Sequence, residues 1–384
     1  MKIIIIGTAY PLRGGIAHFN ALLAQQLSAR HTVETITFKR QYPEFLFPGT
    51  SQEEQQSQST DILPAPQLID SINPLNWISV AREVRKRKPD LVIFKYWLPF
   101  FGPCFGTIAK ILKKGTRTKV LYICDNVIPH ERRPGDVAFT RFALRQGDFF
   151  IVQSDAVEKD LLRYFPRARY RKVPHPVYEI FGKPVSRQEA RRALGISAQR
   201  IILYFGYVRA YKGLMILIEA MKKIRDGSRS SEEGNPDMEL LAVGEFYDDE
   251  KQYRQRVKDL RLESCIRFVP EYVPNDRVGS YFCAADVVVL PYLSATQSGI
   301  TQIAYNFNKP VIATNVGGLA EVVIDGKTGF IIPPNDPDAL AGAILRFYDE
   351  KRDSEFSANV QREKLKYSWE NLVENIEQLM SQAT

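Results

Sequence analysis

The stretch Ile201-Ile202-Leu203-Tyr204-Phe205-Gly206-Tyr207-Val208-Arg209-Ala210-Tyr211-Lys212-Gly213 decides the fold class of this 384-residue chain. Its apolar residues run together instead of alternating, as in a strand buried on both faces of a parallel sheet. A glycine closes the run and a helix-like stretch follows Gly213, so the segment reads as a strand–glycine–helix unit. Similar runs follow at Leu240–Val243, Val287–Leu290, Val311–Ala313 and Phe330–Ile332. Others precede it at Ile3–Ile6, Leu91–Phe94, Val120–Cys124 and Phe149–Val152. Amphipathic segments lie between them; in one, Ile16, Phe19, Leu22, Leu23 and Leu27 share a helix face. Alternating strands and helices predict an α/β, doubly wound, Rossmann-like fold.

A chain of this length is too long for one ordinary core and suits two domains. The prolines from Pro174 to Pro184 interrupt both periodicities, and Ile201 starts a fresh unit beyond them. We therefore expect domains at 1–180 and 185–366, with 367–384 forming a last helix through Trp369, Leu372, Ile376 and Leu379. No apolar run reaches the roughly 18–20 residues that cross a bilayer. The apolar N-terminal run is too short for a signal segment, so a cytoplasmic location is expected. The four cysteines and four histidines show no zinc or disulfide spacing. A net charge of +8, dense at Arg82–Lys88 and Arg163–Lys172, fits peripheral contact with an anionic membrane. No nucleic-acid motif accompanies that charge, so no nucleic-acid partner is expected.

Four loops that follow strands are rich in glycine or hydroxyl groups. The first, Gly7 to Gly15, ends in the pair Gly14-Gly15 just before a helix whose free N–H groups suit an anion. It is not G-x-G-x-x-G, which disfavours a nicotinamide dehydrogenase. The second places Arg209 and Lys212 between strand and helix, where two cations can hold a diphosphate and stabilise it as a leaving group. The third, Pro291 to Gln302, includes Gln297, Ser298, Gly299, Ile300, Thr301 and Gln302, and its hydroxyls and backbone N–H groups can cradle a phosphate. The fourth is Asn315-Val316-Gly317-Gly318-Leu319-Ala320-Glu321.

From Ile201 to Pro334 the pieces Gly206…Lys212-Gly213, Ala285-Asp286…Leu290-Pro291, Pro310-Val311-Ile312-Ala313-Thr314, Gly317-Gly318…Glu321 and Asp325-Gly326…Thr328-Gly329-Phe330 stand in a telling order. In order and spacing they resemble the donor-binding half of the retaining glycosyltransferase family 4. Gly14-Gly15 and Tyr367-Ser368-Trp369 match the same family more weakly. The resemblance implies the GT-B architecture, two Rossmann-like domains facing a central cleft, with the last helix packing back on the first domain. It also implies a nucleotide-diphosphate sugar as donor and no separate cofactor. Two departures stand out. The family's pair of glutamates falls here on Ala295 and Ile303, and Arg209 lies three residues before Lys212 instead of five or six. The polar neighbours of Ala295 and Ile303, Gln297 and Gln302 among them, are candidates to replace the glutamates' hydrogen bonds. In the first half, either Asp125 or His130 is expected to touch the reacting sugar.

The expected function is metal-independent transfer of a glycosyl group, with retention, to a hydroxyl acceptor. That acceptor is a cell-surface polysaccharide or a lipid-linked saccharide at the inner membrane face. A non-catalytic sugar-nucleotide-binding protein of the same fold is the alternative that the absent glutamates raise.

Overall fold

A computed structural model describes residues 1–43, 52–53, 65–128, 133–228 and 237–382. The chain divides into two compact units, Met1–Pro176 with Tyr367–Thr384, and Val177–Lys366.

The first unit runs β1 (Lys2–Ile6), α1 (Gly15–Ser28), β2 (Thr32–Arg40), β3 (Gln67–Asp70), α2 (Pro74–Lys86), β4 (Leu91–Tyr96), α3 (Gly102–Lys113), β5 (Lys119–Cys124), α4 (Asp136–Leu144), β6 (Phe149–Val152), α5 (Asp155–Tyr164) and β7 (Tyr170–Lys172). All strands are parallel, in the order β3-β2-β1-β4-β5-β6-β7. Its central strands are wholly apolar over Ile3–Ile6 and Leu91–Phe94 because helices cover both faces. Helix α1 buries Phe19, Leu22, Leu23 and Leu27 as its period requires, and also the polar His18 and Asn20.

The second unit runs α6 (Arg187–Ala193), β8 (Arg200–Phe205), α7 (Leu214–Ser228), β9 (Met238–Val243), α8 (Glu250–Asp259), β10 (Ile266–Val269), α9 (Asn275–Ala284), β11 (Val287–Leu290), α10 (Gly299–Asn306), β12 (Val311–Thr314), α11 (Leu319–Val322), β13 (Gly329–Ile332), α12 (Pro337–Asp349) and α13 (Asp353–Glu363). Its six parallel strands follow the order β10-β9-β8-β11-β12-β13. The last helix, α14 (Trp369–Ser381), belongs to the first unit. Ser368 caps it by accepting from the Asn371 N–H. Trp369 packs on Phe19 with ring centroids 5.1 Å apart, and Glu377 takes hydrogen bonds from Arg30 and His31.

Every strand expected from an apolar run is present. The strands not foreseen are β2, β3, β7 and β10, of which the last three lie at sheet edges. An edge strand meets solvent along one side, so β7 reads Tyr-Arg-Lys and carries no apolar run. No described helix is long and apolar enough to cross a membrane.

In both sheets the chain winds outward in opposite directions from the first strand and the fourth, β1 and β4 in one unit, β8 and β11 in the other. Open sheets of this kind bind ligands beyond the carboxyl ends of the strands at that switch point.

Candidate functional site

In the second unit the switch point is flanked by the loops after β8 and β11. Gly206, with φ +104°, ends β8. A Cβ on it would stand 3.3 Å from both Lys212 Nζ and Ile300 Cδ1, so the lysine head and the start of α10 converge on the same spot. Gly213, with φ +70°, is packed so closely that a Cβ would meet the Pro291 carbonyl oxygen at 1.9 Å. That contact locks the β8 loop to the β11 loop, and Leu293 N–H adds a 2.7 Å bond to the Tyr211 carbonyl. The loop after β12 joins them, Thr314 Oγ1 donating to the Tyr292 carbonyl at 2.6 Å and Gly318 N–H to the Thr296 carbonyl at 2.9 Å.

Arg209 and Lys212 bracket one 3-10 turn, closed by Lys212 N–H on the Arg209 carbonyl at 2.9 Å. Neither makes an ion pair among the described residues. The Arg209 guanidinium lies 4.9 Å from the Tyr247 ring centroid, and Tyr207 packs on Tyr247 at 4.5 Å. The Lys212 ammonium lies 5.8 Å from the Tyr292 ring. Burial, and next the adjacent Arg209 charge, push the Lys212 ammonium down to about 8. Two cations crowded together without carboxylates form a site that an anion would relieve.

Helix α10 points its first turn into this region. Its N-cap, Ser298, makes no capping bond; its hydroxyl lies 3.3 Å from Tyr292 OH. The leading N–H groups of Gly299, Ile300 and Thr301 are thus not satisfied by a side-chain cap. Gln302, which could equally have faced solvent, is 1% exposed. Gln302 Oε1 and the neighbouring Thr301 Oγ1 are buried without a hydrogen-bond partner among the described residues. Gln297 is partly buried on the same loop, and Ala295 and Ile303, at the glutamate positions, are both buried.

In the first unit Gly14 adopts φ +112° ahead of Gly15 at the start of α1. Asp125 stands just after β5 and accepts a 2.6 Å bond from Lys95 at the end of β4. His130 lies outside the described residues. The described histidine that responds to Asp125 is His175, buried, its ring 5.2 Å from that of Phe19. Burial, then the Lys95 charge, lowers it to about 4. The sequence reading does not anticipate the buried Lys95 and His175 beside Asp125. The signal was a charge inside the run Phe94-Lys95-Tyr96-Trp97, in a strand whose six residues are all buried. Among the described residues no three His, Cys, Asp or Glu side chains gather as a metal site.

Residues 14–176 match the family model of the glycosyl transferase 4-like domain, and residues 199–350 that of the glycosyl transferases group 1. The chain superposes over its whole length on sucrose-phosphate synthase from Thermosynechococcus elongatus, with TM-score 0.75, 21% identity and 99% of that chain covered. On Anabaena HepE, solved in complex with UDP, the score is 0.76 at 18% identity, with both chains fully covered. These structures carry the fold. The chain thus has the GT-B fold, and its two units carry the glycosyl transferase 4-like domain and the glycosyl transferases group 1 domain respectively. It is 28% identical over 216 residues to a D-inositol 3-phosphate glycosyltransferase of Acidothermus cellulolyticus, covering 54% of this chain and 47% of the relative. It is 26% identical over 243 residues to a lipopolysaccharide 1,2-N-acetylglucosaminetransferase of Salmonella typhimurium, covering 60% and 61%. The chain spans about half the length of the inositol-phosphate relatives it matches.

Proposed function

We propose that the chain transfers a glycosyl group, with retention, from a nucleotide-diphosphate sugar to a hydroxyl acceptor, as a member of glycosyltransferase family 4. The observation that carries this reading is the pair Arg209 and Lys212, two cations without carboxylate partners among the described residues, beside the uncapped start of α10. In that role they hold the diphosphate and neutralise the charge it gains as it leaves. The backbone of Ser298 to Thr301 supplies further donors. Gln297 and Gln302 bind sugar or ribose hydroxyls in place of the two absent glutamates, and Gly14-Gly15 serve the donor from the first unit. Cationic side chains do the work of a metal, so transfer is metal-independent.

The acceptor is a polysaccharide or a lipid-linked saccharide at the inner face of the membrane, which a basic protein approaches readily. HepE has been solved with UDP and glucose and with UDP-glucose, which makes UDP-sugars the first donors to try. Thermal shift with UDP-, GDP-, ADP- and TDP-sugars finds the donor, because a ligand of the folded state raises its apparent stability. Turnover of that donor is then measured by release of the nucleoside diphosphate. Binding of no member of the panel, or binding with no release in the presence of saccharide acceptors, would sink the reading.

A further inference from the structure

Lys95 is 1% exposed and sits at the carboxyl end of β4, beside the switch point of the first sheet. Its ammonium donates to Asp125 Oδ1 at 2.6 Å and to Gln153 Oε1 at 3.3 Å, and lies 3.5 Å from the centroid of the Phe19 ring. These contacts span β4, β5, β6 and α1, so four elements converge on one charge. A lone buried ammonium is costly, and apolar packing alone would fill the space more cheaply. The pair is lopsided: Asp125 keeps 15% of its side chain exposed where Lys95 keeps 1%. The carboxylate is therefore the member that reaches the surface, with the lysine as its backing.

The surroundings are polar but nearly neutral. Asn20 Nδ2 donates to the Thr8 carbonyl at 2.9 Å, and both residues pack at the end of β1. Thr8 Oγ1 and Asn20 Oδ1 are buried without a hydrogen-bond partner among the described residues. A cancelled charge pair beside uncharged hydrogen-bonding groups suits hydroxyls better than phosphates.

Resting on the glycosyl-transfer reading, we propose that Lys95 is a positioning residue. Its ammonium, clamped by Gln153 and Phe19, holds the Asp125 carboxylate aimed to accept a hydrogen bond from a sugar hydroxyl. Lys95 itself touches no substrate.

The test is a double-mutant cycle on release of nucleoside diphosphate from the donor panel, using Lys95→Met, Asp125→Asn and the double variant. Asp125→Asn should lower kcat about 10- to 100-fold, as expected for a lost hydrogen bond to a charged acceptor. Lys95→Met should lower it by a similar factor, with affinity for the bare nucleotide unchanged. The double variant should be no worse than the poorer single within about threefold, because both changes disable one unit. It removes both charges together, so it folds even where Lys95→Met leaves a stranded carboxylate.

NMR of the histidine rings checks the charge itself. The groups facing Lys95 are Asp125, His175 and Cys124. Since the Lys95 charge helps lower His175, Lys95→Met should move the His175 titration upward from about 4. Losses that multiply in the double variant, an unchanged Lys95→Met kcat, or an unmoved His175 would overturn the positioning role alone. A wild type that turns over no donor would overturn the transfer reading and this role with it.

Discussion

In the first unit the lysine nearest the switch point, Lys95, is sealed between Asp125, Gln153 and an aromatic ring. In the second, Lys212 stands beside Arg209 and pairs with no carboxylate among the described residues. The strand order around both is the same. Topology thus selects where a ligand site forms, and the side chains at the strand ends select what it takes. An edge with uncancelled positive charge suits a diphosphate. One whose lysine is neutralised in place, with uncharged groups around it, suits hydroxyls. Two sheets of one strand order thus carry different side chains at the carboxyl ends of their strands.

The largest effect should come from stripping the uncancelled charge. Lys212→Ala and Arg209→Ala are each expected to slow transfer about 10²-fold or more, the scale seen when a preorganised group that stabilises leaving-group charge is lost. Steady-state release of the nucleoside diphosphate measures it. Wild-type rates in both variants would erase the distinction between the two sheets.

The contrast between the units was only half visible beforehand. Arg209 and Lys212 could be picked out because they follow a strand built of consecutive apolar residues, which fixes their place at a carboxyl end. Lys95 could not, because it is inside the strand: the apolar run Leu91–Phe94 ends at the charge, whereas β4 continues through Tyr96. Its partners Asp125 and Gln153 lie 30 and 58 residues further on, a distance that no local pattern bridges. The strands missed fail for a related reason. Met238 to Val243 and Ile266 to Val269 pair in the same sheet, yet β10 is an edge with three half-buried residues, and its pattern blurs.

A smaller effect should separate sugar from nucleotide within the second sheet. Gln302 is buried with an unpaired carbonyl oxygen, a cost of about 1–3 kcal/mol unless a ligand supplies the missing donor. Gln302→Met, close to it in volume, should therefore leave the ligand-free protein as stable or more so. It should also weaken binding of the nucleotide sugar about 5- to 150-fold. Titrating the bare nucleotide alongside assigns the contact: equal weakening means ribose, and no weakening means the sugar. If neither affinity changes, Gln302 is merely an unsatisfied core residue. Gln297→Ala tests the other proposed replacement in the same way.

The pH dependence should be smaller still, and it belongs to Lys212 alone. With the ammonium held near 8, the free site loses a charge as pH rises past that value. Affinity for the bare nucleoside diphosphate should then fall by up to about tenfold per pH unit between 8 and 9, since a bound anion favours the protonated lysine. Lys212→Met should flatten this slope. Stability carries the opposite sign. The folded state releases the proton at a lower pH than an unfolded lysine, near 10.4, so the cation opposes folding fully below about 8 and progressively less above it. Lys212→Met should accordingly raise Tm at pH 7 while weakening the donor. A slope that persists in the variant would assign the titration to another group.

The smallest expected effect is none at all, on chelation. A divalent ion that bridges a diphosphate is ordinarily anchored by carboxylates. At the second switch point Arg209 and Lys212 occupy that place, Gly206 admits the lysine head to within 3.3 Å of where its own Cβ would be, and their charge repels a cation in the absence of donor. The same charge already supplies the neutralisation that a metal would give the leaving group. Initial rates should therefore be equal with millimolar EDTA and with added Mg²⁺ or Mn²⁺. The comparison of the two edges sharpens the test. Once Lys212→Ala has lowered the charge, added Mg²⁺ carried by the diphosphate should recover part of the rate, as a substitute for the missing cation. EDTA inhibition of the wild type, reversed by Mg²⁺ or Mn²⁺, would show that the two side chains do not neutralise the diphosphate by themselves, and the assignment of the second edge would have to include a metal.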